Sequence, residues 1–122
     1  MEIYGIGTDI IEIDRIREAI TRTAPFKRKV YTEREIEHVE KKKNPYASFA
    51  GRFAAKEAVS KALGTGVRGF SLSDVEIMND ELGKPVVYLY NELKEAAKDL
   101  KIQISISHSR EYAVSTVIIY RE

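Results

Sequence analysis

Two carboxylates stand where carboxylates are costly, and they frame the chemistry open to this chain. Read at the 100° step of an α-helix, residues 46–64 place Tyr46, Phe49, Ala50 and Phe53 on one apolar stripe, and Glu57 falls inside it. An ionised carboxylate there is expensive unless a cation meets it. Lys61, one turn on and in the favourable order, offers a solvent-side pair worth about 0.2–0.5 kcal/mol. Asp9 is the second such acid. It follows Gly5 and Gly7 in a run rich in β-branched residues and is flanked by Ile10 and Ile11, so it either ends a strand or has a use there.

The chain has no cysteine and only two histidines, which excludes disulfides, thiolate zinc sites and a cysteine nucleophile. A cation held by these acids is therefore a hard, oxygen-liking one. Magnesium fits, because it takes one or two protein carboxylates and completes its shell with water and substrate phosphate. Lys56 and Lys61 flank Glu57 and are placed to meet phosphate charge that the metal leaves unneutralised. The base of such a reaction stays open among Glu57, Glu35 and a water held by the cation.

The elements that must position these groups follow in order. Residues 2–13 read as a strand, Asp14 caps a helix with Ile16, Ala19 and Ile20 on one side, and Pro25 opens a short basic turn to Val30. Thr32 and Glu35 form a capping box for a charged helix to about Lys43. Asn44 with Pro45 starts the central helix and Gly64 stops it. Two strands, 74–78 and 86–90, are joined by a loop that holds Lys84 between Gly83 and Pro85. A helix over 91–100 and two further strands, 102–108 and 112–120, complete the chain. In the first of those strands Ile102, Ile104 and Ile106 share a face, and His108 falls on it. The order predicts one domain, 1–122, of α+β class with a mainly antiparallel sheet packed on a long central helix.

Composition sets the outer bounds. With 43% hydrophobic and 32% charged residues over 122 positions the chain reads as globular, and it carries neither a membrane-spanning run nor a signal-peptide pattern, so the expected place is the cytoplasm. A net charge of +1 gives no case for nucleic acid. The positive charge is local: Arg15, Arg17, Arg22, Lys27, Arg28 and Lys29 face only Glu18 between positions 15 and 29.

Five segments together, residues 5–13, 49–58, 61–66, 83–85 and 105–109, resemble the holo-[acyl-carrier-protein] synthase family in order and over the whole chain. The resemblance implies transfer of 4'-phosphopantetheine from coenzyme A to a serine of acyl carrier protein, with magnesium, by a homotrimer whose active sites lie between subunits. By position, Asp9 and Glu57 resemble the metal ligands, and Lys61 resembles the basic residue that meets the coenzyme A phosphates and assists catalysis. Arg52, Lys84 and His108 resemble residues lining the coenzyme A site. Arg15 and Arg22 lie on the helix that in the family docks the acidic carrier. A magnesium-dependent phosphohydrolase of coenzyme A or nucleotides, and a coenzyme A-binding module without turnover, are the competing readings.

Overall fold

The computed structural model describes all residues, 1–122. The chain runs β1 (Glu2–Glu12), α1 (Ile13–Arg22), α2 (Phe26–Val30), α3 (Glu33–Glu40), α4 (Pro45–Leu63), β2 (Val75–Asn79), β3 (Pro85–Leu89), α5 (Asn91–Ala96), β4 (Lys101–His108) and β5 (Tyr112–Arg121). A three-stranded antiparallel sheet has the order β1-β5-β4, and β2 with β3 forms a separate antiparallel hairpin. No helix is long and apolar enough to cross a membrane.

Helix α4 packs on one face of the larger sheet. It approaches β1 so closely because both sides lack side-chain bulk. A Cβ added to Gly5 would lie 1.9 Å from the Ala62 carbonyl oxygen, and one added to Gly7 would lie 2.0 Å from that of Ala58. The two glycines thus mark a backbone-to-backbone contact. Ala55, Ala58, Val59, Ala62 and Leu63 then meet Ile104, Val117 and Ile119 of the sheet and Val75 and Ile77 of the hairpin in the main core. A second cluster joins α1, α2 and α3 through Ile16, Tyr31, Ile36, Val39 and Phe49.

Burial on α4 does not follow the single stripe expected from the sequence. Arg52, Ala54, Ala55, Lys56 and Ala58 are all buried, whereas Phe53 and Glu57 are only half-buried. Sheet, hairpin and α3 cover this helix from several sides, so its apolar residues need not share one face.

The strand ends fall within a residue of the sequence reading, and three helix boundaries also differ from it. Helix α1 begins one residue before Asp14, which is not its cap; Ile13 N–H instead donates to the Glu111 carbonyl at 2.9 Å. Helix α3 ends at Glu40, since Lys41–Lys43 place like charges together ahead of Pro45, which disfavours helical geometry at Asn44. Helix α5 ends at Ala96, where a tighter turn returns the Leu100 N–H to the Ala97 carbonyl and lets β4 start. The capping box at Thr32 and Glu35, Pro45 in the first turn of α4 and the left-handed Gly64 at its end form as expected.

The other face of the three-stranded sheet carries Ile6, Thr8 and Ile10 beside Val114, Thr116 and Ile118. Ile6 and Ile10 are more than 60% exposed there, and no element of the chain covers them.

Candidate active site

The close contact of β1 with α4 sets Asp9 beside the outer flank of that helix, where Glu57 and Lys61 lie one turn apart. Lys61 Nζ donates to Asp9 Oδ1 and to the Thr8 carbonyl, each at 3.0 Å. The i,i+4 pair of Lys61 with Glu57 does not form; the lysine reaches across to the strand instead. Half of the Lys61 side chain stays exposed, while that of Asp9 is 16% exposed. Burial raises the Glu57 carboxyl above its usual range, the Asp9 carboxylate raises it further, and Lys61 only partly counters both. The Glu57 carboxyl thus feels the negative charge of Asp9, and Lys61 offsets it only in part.

That donor set suits magnesium. No cluster of three or more His, Cys, Asp or Glu is present, so protein atoms alone offer two carboxylates and leave most of an octahedron to water and substrate oxygen. Zinc or a softer metal would find no nitrogen or sulfur here.

A second group gathers where α4 meets the hairpin and the end of the edge strand β4. Arg52 and His108 border a cleft of about 220 Å³ together with Ser48, Gly51, Asn79 and Gly83. Arg52 is buried and spends its donors within the protein: Nε on the Ile77 carbonyl at 3.0 Å, one terminal nitrogen on Ser48 Oγ at 2.7 Å and the other on Asn79 Oδ1 at 2.8 Å. It shapes the cleft more than it offers charge to it. His108 packs on Gly51, where an added Cβ would come 2.6 Å from its Nε2. Lys84 is exposed and does not line this cleft; its N–H donates to Asp80 Oδ1 at 2.9 Å.

Lys56 and Glu35 do not face either group, contrary to the expectation that Lys56 meets phosphate and Glu35 is a candidate base. Both side chains are fully buried, and Lys56 Nζ donates to Glu35 Oε1 at 2.8 Å, to the Leu72 carbonyl at 3.1 Å and to the Val75 carbonyl. Losing one partner of such a pair costs about 3–5 kcal/mol. A hint lay in the sequence, since Lys56 sits among Ala54, Ala55 and Ala58.

The basic segment is partly neutralised. Arg17 pairs with Asp14, Lys27 with Glu40 and Arg28 with Glu33, whereas Arg15 and Arg22 are exposed on α1 and make no ion pair.

An acid pair with an adjoining lysine, and a separate arginine–histidine cleft, on an antiparallel α+β frame are features of proteins that handle phosphate esters with a divalent cation. The family is more particular: the model of the 4'-phosphopantetheinyl transferase superfamily matches residues 5–117, and the chain belongs to that superfamily. A holo-[acyl-carrier-protein] synthase of Fusobacterium nucleatum is 53% identical over 121 residues, covering 96% of this chain and 98% of the relative. The crystal structure of such a synthase from Bacillus anthracis, in complex with coenzyme A (3',5'-ADP), superposes with a TM-score of 0.84 at 38% identity and full coverage of both chains. The synthase structure from Neisseria meningitidis gives 0.87 at 33% identity, covering 98% of this chain and 99% of that one.

Proposed function

We propose that this protein is a cytoplasmic, magnesium-dependent enzyme that transfers 4'-phosphopantetheine from coenzyme A to a serine of apo acyl carrier protein, releasing adenosine 3',5'-bisphosphate. The carrying observation is the meeting of Asp9, Glu57 and Lys61 on a chain so similar to holo-[acyl-carrier-protein] synthases.

The serine oxygen attacks the β-phosphorus of the coenzyme A pyrophosphate, the bond from that phosphorus to the bridging oxygen breaks, and the serine proton leaves to a base. Bound magnesium, held by Asp9 and Glu57, supplies neutralisation of the pyrophosphate charge. Lys61, whose ammonium is half exposed, would meet a phosphate oxygen. Glu35, ion-paired and out of reach of solvent, is not the base. Arg52 and His108 receive the nucleotide portion in their cleft, with Lys84 at its margin.

A homotrimer with sites between subunits accounts for two features. Asp9 on β1 and His108 on β4 lie on opposite edge strands with β5 between them, and the sheet face bearing Ile6, Ile10 and Ile118 has no cover within the chain. The edge group of one copy completes the cleft of the next.

Incubation with coenzyme A, magnesium and apo carrier protein, read by mass spectrometry, tests the reading. A gain of one phosphopantetheine on the carrier is expected; coenzyme A breakdown without a carrier points to the hydrolase, and binding without turnover to a binding module.

Two variants probe the substrates separately. Gly51→Ala moves His108, because the added methyl collides with its imidazole and with Ile106. A helical alanine is favoured over glycine by about 1 kcal/mol, which offsets the strain, so stability changes little while calorimetric affinity for 3',5'-ADP falls about tenfold. Arg15→Glu acts on the other substrate. It raises the KM for the acidic carrier about tenfold at low salt, flattens its salt dependence and leaves the KM for coenzyme A unchanged. A shift in the coenzyme A value instead would remove α1 as the docking helix.

A further inference from the structure

Strand β2 has two edges, and only one is paired with another strand. The other is met by side chains from two helices. Lys56 Nζ on α4 holds the Val75 carbonyl, Glu35 Oε2 on α3 accepts the Ile77 N–H at 2.8 Å, and Arg52 Nε on α4 donates to the Ile77 carbonyl at 3.0 Å. Lys56 donates to Glu35, and Glu35 also accepts from the Thr32 N–H, so the buried pair is tied to the start of α3.

The unit continues to the surface. Beyond Ile77, Arg52 donates to Asn79 Oδ1 at 2.8 Å, and Asn79 Nδ2 donates to the Gly83 carbonyl at 3.0 Å. Arg52, Asn79 and Gly83 are walls of the cleft that contains His108. Apart from the passage through Ile77 itself, each link from the buried pair to the cleft is a direct hydrogen bond.

We infer that Glu35 and Lys56 are positioning residues for the nucleotide cleft: their buried ion pair seats the open edge of β2 on α3 and α4 and so fixes where Arg52, Asn79 and Gly83 stand. The inference rests on the cleft taking the nucleotide portion of coenzyme A, as proposed above. Neither residue touches substrate. A fully apolar filling of the same space would stabilise the core as well, but it would leave the Val75 carbonyl and the Ile77 N–H without partners and let the hairpin slide.

Positioning and plain stability separate in a two-variant experiment. Lys56→Met strands a buried carboxylate, whereas Lys56→Met with Glu35→Gln removes both charges and is expected to recover most of the lost melting temperature. Affinity for 3',5'-ADP, titrated calorimetrically on the whole protein below either melting point, should not recover with it. About tenfold weaker binding is expected in both variants, with the carrier KM within about twofold of the parent.

If nucleotide affinity climbs back in step with melting temperature, or is unchanged in the double variant, the pair is structural only and the inference fails. The double variant carries the test if the single one does not fold, and Glu35→Gln alone, being isosteric, carries it if neither does, with weakened nucleotide binding expected and unaltered binding contradicting. The parent protein keeps the two ideas apart. Failure of the parent to bind 3',5'-ADP refutes the function, whereas normal binding by parent and variants alike refutes only the positioning role.

Discussion

Asp9→Ala and Glu57→Ala are each expected to lower turnover by about a thousandfold or more, with the folded structure retained. The fold does not need either carboxylate. Asp9 makes one exposed ion pair with Lys61, of a kind worth at most about 1 kcal/mol. Glu57 is disfavoured where it stands, since burial and the Asp9 charge both oppose its ionised form. Removing it relieves a cost, so the melting temperature of Glu57→Ala should equal or exceed that of the parent while activity collapses. Such an opposition, if measured, is the signature expected of a residue kept for chemistry. Circular dichroism melts and a steady-state assay at saturating magnesium check both halves. Full activity in either variant would end the assignment of the acid pair as cation ligands.

Gly7→Ala should have a large structural effect for a single methyl. The added Cβ would sit 2.0 Å from the Ala58 oxygen and 3.0 Å from the Ala58 carbon and Ala62 nitrogen, all backbone atoms that cannot swing aside. The strand must lift from α4. A cost of about 3 kcal/mol or more is expected, lowering the melting temperature by about 10 °C or more. The lift also separates Asp9 on β1 from Glu57 on α4, so even the folded fraction at low temperature should turn over poorly. A melting temperature within about 2 °C of the parent, with normal activity, would show that the contact tolerates a methyl.

These residues illustrate what the chain discloses in one dimension. Asp9 and Glu57 were legible because a carboxylate among isoleucines or aromatic residues is out of place wherever it lies, and Gly5 with Gly7 announced a close approach without naming its partner. The partners were not legible. Lys61 is one turn from Glu57, but the nearness of β1 offered it Asp9 and the Thr8 carbonyl instead. Lys56 looked like its neighbour Lys61 because sequence records a charge and not its direction. Only the hairpin and α3, packed on the far side of α4, turned it inward. Glu35 announced its capping box from three residues' spacing, while its second partner lay 21 positions away. The start of α1 is not legible for the same reason: the Ile13 N–H donates to the Glu111 carbonyl, at the other end of the chain.

Asp9 on β1 and His108 on β4 lie on opposite edge strands, and the proposed sharing of sites between subunits makes a demand of them that one measurement meets. Asp9→Ala and His108→Ala, each expected to be inactive alone, are to be co-expressed and assayed as mixed assemblies. If each site takes its acids from one copy and its cleft from the next, a random mixture rebuilds about a quarter of the sites, and carrier modification returns to about that fraction of the parent rate. If both halves serve within one chain, no mixture restores an intact site, and activity staying at the level of the separate variants would contradict an active site shared between subunits.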